Sequence, residues 1–264
     1  MLATWLTWTN RAAGVYSSFN VIDVAELSPP NNAIIEFTAG VVRDALIDPR
    51  FLEEASKWLE WPALTDWTQQ SKPRPDKLTR GVYGEAIAAE MMRAFHHHHI
   101  PVSKLRYTIT RGQTLPGTDI IALTLDEHGD INGACFIEVK LRTTKAFATD
   151  AVIDASKQLS ADYGEALPSM LKFIAERLQE RSDPLFEAYM RYMRDRRDLS
   201  GFDSFRIFLF WDQAAWSDNL LQSLDDETMQ IAPVTVHVVS LPDMVDRVRV
   251  AYSSVPADCN DNDD

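Results

Sequence analysis

The sequence predicts an α/β protein in which helices cover a mixed β-sheet. Stretches with apolar residues at helical spacing alternate with short runs rich in β-branched and aromatic residues. The predicted core follows the order helix, three strands, helices, strand, helix, strand. The chain of 264 residues is 45% hydrophobic and 25% charged, which is typical of a globular protein of one large or two small domains.

Each predicted element rests on a local pattern. In the helix over 84–97, Ile87, Met91 and Phe95 recur at helical spacing, and Pro49 stands just before the helix over 51–59, where proline suits a helix start. The other predicted helices span 33–46, 150–163, 168–181, 184–197 and 213–224. The predicted strands span 104–110, 118–126, 131–142, 205–211 and 234–241.

The chain divides into three predicted parts. Residues 1–75 form an N-terminal accessory region that we expect to dock a partner. It ends in a predicted linker over 69–75, which contains Ser71, Pro73 and Pro75. Residues 76–255 form the main domain, and residues 256–264 form a flexible acidic tail. The accessory region holds five of the seven tryptophans, namely Trp5, Trp8, Trp58, Trp61 and Trp67.

The net charge of −13 argues against a protein that holds nucleic acid alone, because lysine and arginine supply most phosphate contacts. Two basic clusters fit either solvated faces, which we favour, or DNA contacts. They are Lys72, Arg74, Lys77 and Arg80, and Arg191, Arg194, Arg196 and Arg197.

The cysteine content and the apolar runs indicate a cytoplasmic protein. The two cysteines, Cys135 and Cys259, form no disulfide framework, which fits a reducing cytosol. The sequence contains no run of about 18 apolar residues, so no membrane helix is predicted. The N-terminus lacks the pattern of a signal peptide.

The strongest inference concerns strand register. A turn-forming run over 126–130 separates two predicted strands, so these should form a hairpin. If Asp126 and Ile131 close the turn, Asp119 faces Glu138 with Cβ atoms about 5 Å apart. Lys140 lies two residues beyond Glu138 and therefore shares its face. A bulge at the turn would instead send the two acids to opposite faces.

Two opposed carboxylates in apolar surroundings are unfavourable unless a cation joins them. Mg²⁺, with Mn²⁺ as a substitute, accepts oxygen ligands and needs only one or two carboxylates. A metal ion beside Lys140 suits the hydrolysis of a phosphodiester. An isolated Glu-x-Lys on a strand, by contrast, is usually a surface ion pair.

Glu85 is the fourth candidate. It lies in the first turn of the predicted helix, beside Gly84, and Gly81 and Gly84 would let the helix backbone approach the sheet closely. Its carboxylate would complete the metal site or a second one. The alternative is that Glu85 simply complements the positive end of its helix.

These motifs resemble the PD-(D/E)xK nuclease superfamily over roughly residues 80–240. The resemblance rests on Gly84-Glu85, Gly117-Thr118-Asp119 and Glu138-Val139-Lys140, with Thr-Asp where Pro-Asp is usual. It implies a restriction-endonuclease-like core and a metal-dependent deoxyribonuclease domain over residues 76–255. By the same resemblance a polar residue of the following helix contributes, either Lys157 or Gln158.

The longer segments Leu115–Asp119 and Phe136–Lys140 are similar to the HamA family, the nuclease subunit of the Hachiman anti-phage defence system. This similarity implies a bacterial defence effector controlled by HamB, a superfamily 2 helicase, which would supply the grip on DNA that the acidic chain lacks. It implies that Asp119, Glu138 and the Val139 carbonyl bind Mg²⁺, and that Lys140 positions the attacking water.

The sequence leaves two other functions open. A catalytically inactive DNA-binding or sensor subunit of the same fold is the main alternative, and a pure interaction protein is a third. The sequence contains neither a nucleophile elbow nor a phosphate-binding loop. The run over 96–99 is four consecutive histidines, which cannot all bind one ion on a helix, so we expect an exposed helix end with cationic histidines.

Overall fold

The computed structural model describes residues 1–58, 76–107, 117–146, 148–163, 167–199, 203–225 and 233–253. The helices are α1 (Leu2–Trp5), α2 (Asn32–Leu46), α3 (Pro49–Ser56), α4 (Asp76–His96), α5 (Ala148–Ala161), α6 (Leu167–Glu180), α7 (Phe186–Leu199), α8 (Asn219–Asp225) and α9 (Met244–Ser253). The strands are β1 (Leu6–Asn10), β2 (Phe19–Glu26), β3 (Ile120–Leu125), β4 (Ile131–Arg142), β5 (Ser204–Asp212) and β6 (Val234–Leu241). A 3₁₀ turn spans Lys104–Tyr107.

One mixed sheet contains all six strands, in the order β1-β2-β6-β5-β4-β3. The four middle strands are parallel, and β1 and β3 join the two edges as antiparallel partners. Strands β5 and β6 are mainly apolar and mostly buried because both of their faces are covered, as parallel sheets require. The predicted class, a mixed sheet flanked by helices, is confirmed.

A hydrophobic core lies on each face of the sheet. On one face α5, α6, α7 and α8 pack on the strands through residues such as Val152, Leu178 and Leu221. On the other face α2, α4 and α9 pack through Val42, Met91 and Val248. The second face is the one on which Glu85 of α4 approaches the hairpin of β3 and β4.

Local signals place several ends of the elements correctly. The Asn31 side chain caps α2 by accepting a hydrogen bond from the Ile34 amide, and Pro49 is the first residue of α3, after the capping Asp48. Strands β4 and β6 have the predicted bounds. The helix predicted over 84–97 starts earlier, at Asp76, and that predicted over 213–224 is shortened to Asn219–Asp225.

The strand predicted over 104–110 is wrong in its described part, which is the 3₁₀ turn; residues 108–110 lie outside the described residues. Long-range bonds explain the difference. Arg106 donates to the Asp44 carbonyl and to the Asp48 carboxylate, and Lys104 donates to carbonyls next to β3. Leu105 between them is buried. Tertiary contacts on both sides of the segment thus override its local preference for a strand.

The N-terminal strands extend the main sheet, since β2 pairs in parallel with β6 from Phe19↔Val234 onwards. Trp5 is buried in the core, whereas Trp58 is 86% exposed at the end of α3. The predicted linker over 69–75, Trp61, Trp67 and the acidic tail lie outside the described residues. The division into accessory region, main domain and tail therefore stays a prediction.

Candidate metal centre

The hairpin of β3 and β4 has the predicted register. Ile120 pairs with Ile137 and Thr124 with Gly133, as expected from the numbering of Asp119 and Glu138. The predicted closure of the turn is wrong by one residue, because Leu125 rather than Asp126 pairs with Ile131. A β-bulge beside Thr124 compensates for this shift, so the two acids still meet at the open end of the hairpin.

Asp119 lies just before β3 and binds the partner strand directly: its Oδ2 accepts a hydrogen bond of 2.8 Å from the Val139 amide. The turn that leads to it depends on Gly117, whose φ of +94° is unfavourable for other residues. A Cβ at Gly117 would also lie 2.3 Å from Met170 Sδ. Only glycine therefore fits the predicted Gly-Thr-Asp motif at this point.

Glu138 is fully buried in the middle of β4. Its Oε1 accepts a hydrogen bond from Lys140 Nζ, while its Oε2 is buried without any hydrogen-bond partner. Lys140 Nζ also donates to Gln158 Oε1 at 3.0 Å. Of the two polar residues predicted on the following helix, Gln158 thus contacts the centre through Lys140. Both Gln158 and Lys157 are exposed.

Burial dominates the electrostatics of the three carboxyls. It raises the pKa of Glu138, and the Asp119 charge raises it further, whereas Lys140 opposes both effects. Burial also raises the pKa of Asp119, against Lys104 and Lys140. The pKa of Glu85 is well above its usual value because of burial and then of the Asp119 charge. The predicted residues Asp119, Glu138, Lys140 and Glu85 therefore form one electrostatically coupled group.

Gly84 sets the position of Glu85, because α4 packs against β4 at this glycine. A Cβ there would lie 3.1 Å from Val139 Cγ1 and 3.5 Å from Leu141 Cβ. The prediction that Gly81 also permits close approach is wrong, since a Cβ at Gly81 would meet no atom within 4 Å. Close packing at Gly84 alone thus brings Glu85, which is only 9% exposed, to the two acids of the hairpin.

Two charged residues of the centre were missed in the sequence. Lys104 Nζ donates to the carbonyls of Gly117 and Thr118 at 2.6 and 2.9 Å, and its charge lowers the pKa of Asp119. No local signal points to this lysine, because it lies in a segment predicted as a strand. Asp162 follows Gln158 by four residues and so shares its helix face; that spacing could have indicated it.

Asp162 lies in a π-helical turn at the end of α5, a feature often found at functional sites. Its Oδ2 is buried without a hydrogen-bond partner. Burial raises the pKa of Asp162, and the Asp119 charge adds to the rise, while Lys104 and Lys140 oppose it. Two carboxylate oxygens of the same charged group, one from Glu138 and one from Asp162, thus lack donors.

This donor set fits a hard divalent cation. Across the described ranges no three His, Cys, Asp or Glu side chains already surround a metal-sized point. Mg²⁺ does not require such a cage, because it keeps several waters and binds through one or two carboxylates. Asp119 and Glu138 supply that number, and the unpartnered Oε2 of Glu138 is a buried polar atom that otherwise only costs stability.

The histidine run marks the end of α4, and His97 and His99 are exposed as predicted, but His96 is not a cationic surface residue. His96 is half-buried and its Nε2 lies 3.1 Å from the Arg206 guanidinium. Burial, followed by the Arg206 charge, lowers the pKa of His96 to about 3, so it is neutral. His97, with φ of +54°, ends the helix, and His99 forms a single β-bridge with Leu123 at the edge of β3.

The second basic cluster is largely neutralised by acids. Arg191 pairs with Asp130, Arg194 with Asp195, and Arg196 with the buried Asp203. In the first cluster Arg80 donates to Thr143. The remaining cationic side chains of both clusters, those of Lys72, Arg74, Lys77 and Arg197, lie outside the described side chains.

The fold and the site define a class of protein: a mixed α/β domain with a group of buried and half-buried carboxylates and lysines at the open end of an edge hairpin. The family model of HamA matches residues 41–247, which is most of the chain. The chain therefore belongs to the HamA family and is a component of the Hachiman defence system. No curated protein matches the sequence. Within the described residues, no helix is long and apolar enough to cross a membrane.

Proposed function

We propose that this protein is the Mg²⁺-dependent deoxyribonuclease of its defence system, with a PD-(D/E)xK active site. The observation that carries the proposal is the fully buried Glu138, whose Oε2 has no partner and whose neighbours are Asp119 and Lys140. A structural glutamate at this position would be expensive, because a buried charge costs stability unless it is fully paired. Membership of the HamA family supports the same assignment.

Each residue then has a role. Asp119, Glu138 and the Val139 carbonyl would hold the metal ion, and Glu85 would add a further carboxylate beside it. The ion would polarise the scissile phosphate and acidify a bound water. Lys140, which Glu138 and Gln158 hold in place, orients that water and offsets the charge that develops on the phosphate. Lys104 fixes the approach to Asp119 through the two carbonyls it binds.

The direct test is cleavage of supercoiled plasmid and of single-stranded DNA by the purified chain. We expect cleavage with Mg²⁺ or Mn²⁺, loss of cleavage with EDTA, and loss in Glu138→Gln, which keeps the shape of the side chain but not its charge. Cleavage in EDTA, or equal rates for wild type and Glu138→Gln, would reject the proposed site.

We further propose that the nuclease works with a helicase partner, HamB. The net charge of −13 is unfavourable for holding DNA, and three arginines of α7 are already paired with acids. A partner that grips DNA removes this difficulty and can also control access to the site. Co-expression followed by size exclusion should give one complex peak, and two separate peaks would count against the assembly.

A catalytically inactive DNA-binding or sensor subunit is the alternative. Under that reading Glu138, Asp119 and Glu85 would have no ion to neutralise them, and their raised pKa values would only reduce stability. The two readings differ in a simple measurement. Mg²⁺ should raise the melting temperature of the wild type but not that of Glu138→Gln if the centre binds metal.

A further inference from the structure

A cavity of about 460 Å³ adjoins the proposed metal centre. It lies between α2, α4 and the 3₁₀ turn, and Glu85 and Asp119 form part of its lining. Ligand pockets commonly have volumes of roughly 300–1,000 Å³. The centre and the cavity therefore share two side chains, and a group bound at one lies next to the other.

The walls of the cavity are mainly apolar. Phe37 and Val41 of α2 face Ala86 and Ala89 of α4 across it, and Ile100 and Val102 line it from the segment before the 3₁₀ turn. Phe37 provides an aromatic ring on one wall. Apolar walls with an aromatic side chain suit a flat, uncharged ring system. Every nucleobase is such a ring system and can stack through its faces.

The charges around the cavity do not suit a phosphate. Its four acids outnumber its three cations, and each cation is already engaged. Arg106 binds Asp48, Arg93 binds Glu90, and Lys104 binds two backbone carbonyls. A neutral base can enter without losing an ionic bond, whereas a phosphate would meet uncompensated carboxylates.

We propose that this cavity receives the unpaired base of a nucleotide next to the scissile phosphate. The proposal rests on the proposed nuclease function, since the shared Glu85 and Asp119 place the scissile phosphate at the mouth of the cavity. A base inside a duplex is stacked and paired, so it must leave the stack before it can enter a pocket. The substrate is therefore single-stranded or locally unwound DNA, the form of DNA that a helicase produces.

Gly40 offers a precise way to test this. It lines the cavity, and a Cβ built on it meets no atom within 4 Å, so Gly40→Leu fills the cavity without a clash at the backbone. Ala89→Leu fills it from the opposite wall and serves as a second variant. The matched control is Ala33→Leu, an exposed position on the same helix α2 that does not line the cavity.

The first measurement is binding of a fluorescent single-stranded oligonucleotide, with Ca²⁺ in place of Mg²⁺. We expect both cavity variants to bind at least about fivefold more weakly than wild type, because stacking of a base contributes that much or more. Ala33→Leu should bind like wild type. The second measurement is the cleavage rate of oligonucleotides that carry one abasic site, placed at successive positions. The rate of the wild type should fall when the abasic site adjoins the cut. The rate of Gly40→Leu should not depend on the position of the abasic site.

Equal binding by the wild type and both cavity variants, or equal cleavage of duplex and single-stranded DNA by the wild type, would overturn the base site and leave Mg²⁺-dependent cleavage standing. Conversely, a chain that cuts no DNA but binds the oligonucleotide in a Gly40-dependent manner would reject the proposed reaction and retain the base site. The two failures are therefore distinguishable.

Discussion

At the scale of single residues, the centre is a group of charges that oppose folding. Glu138 has no exposed surface, and its two oxygens differ: one is bound by Lys140 and the other by nothing. Asp119 lies near enough to raise its pKa. Natural proteins tolerate such arrangements mainly where function requires them. The hydrophobic cores on both faces of the sheet offset this loss of stability.

Lys140→Ala should abolish cleavage while the protein stays folded. Removing one preorganised cation from a reacting phosphate costs about a hundredfold or more in rate. The fold survives because the pKa of Glu138 is already raised, so this carboxyl can take up a proton when its partner is lost. Initial cleavage rates and thermal melting of the same preparation measure both effects.

Lys145→Ala is the matched control for this substitution, because Lys145 is an exposed lysine in the turn after β4. Its cleavage rate should equal that of the wild type. Retained cleavage in Lys140→Ala would remove Lys140 from the active site.

At the scale of elements, the centre depends on how closely α4 packs on β4. The two glycines of this helix differ in what a side chain would meet: Val139 and Leu141 at Gly84, and open space at Gly81. The first glycine is therefore required by packing, while the second only weakens the helix. That difference could not be read from the sequence, where both stand one turn apart at the same end of the predicted helix.

Gly84→Ala should lower the cleavage rate roughly tenfold or more, since a shift of about 1 Å in a catalytic group can cost a hundredfold. The new methyl group would push α4 from β4 and move Glu85 away from Asp119. Gly81→Ala should keep the wild-type rate and add up to about 1 kcal/mol of stability, the difference in helix propensity. Cleavage assays and urea unfolding of both variants measure this, and an unimpaired Gly84→Ala would show that Glu85 needs no precise position.

At the scale of the whole molecule, a buried histidine cluster joins the N-terminal strands to the main sheet. Trp8 of β1 packs against His96 and His237, with ring centroids 4.9 and 5.0 Å apart. His237 stacks on Phe208 at 4.2 Å, and Arg206 Nη1 lies 2.9 Å from His237 Nε2. Burial, and then the Arg206 charge, lowers the pKa of His237 well below its usual value. These histidines are neutral in the folded protein.

The contribution of these histidines to the stability of the protein should therefore fall as the pH is lowered from 7 to 5. In the unfolded chain these histidines take up protons below about pH 6.5, whereas in the folded protein His96 does so only near pH 3. At these histidines the unfolded state thus binds more protons in this window, so their part of the free energy of unfolding decreases with falling pH. The carboxyls of the metal centre, whose pKa values are raised, act in the opposite direction. Urea unfolding at several pH values measures the slope.

His96→Gln should reduce this slope by the equivalent of one proton, because it removes one histidine that is neutral only when folded. His128→Gln is the comparison variant, since His128 lies exposed in the hairpin turn, outside the cluster. An identical slope in wild type and His96→Gln would show that the cluster does not govern acid sensitivity.

Several features followed from the sequence alone because they depend on neighbours along the chain. The class of fold came from periodicity, and the facing of Asp119 and Glu138 came from a short turn and the two-residue repeat of strands. The predicted register depends on the bulge beside Thr124. The turn closes one residue away from the predicted position, and the bulge compensates for that shift. The motif of Gly117 likewise reflects a local need for positive φ.

Only the tertiary structure decided which distant residues join them. Contacts between segments far apart in the chain bring Lys104 and Asp162 to the centre. Such contacts also place Phe37 in the wall of the adjoining cavity. The inward turn of His96 depends on Arg206, which lies 110 residues further on. Such contacts form because side chains compete for space and charge partners across the sheet, and no local pattern records that competition. The sequence by itself determined the acid pair and its register; the packing of α4 and the 3₁₀ turn decided what surrounds it.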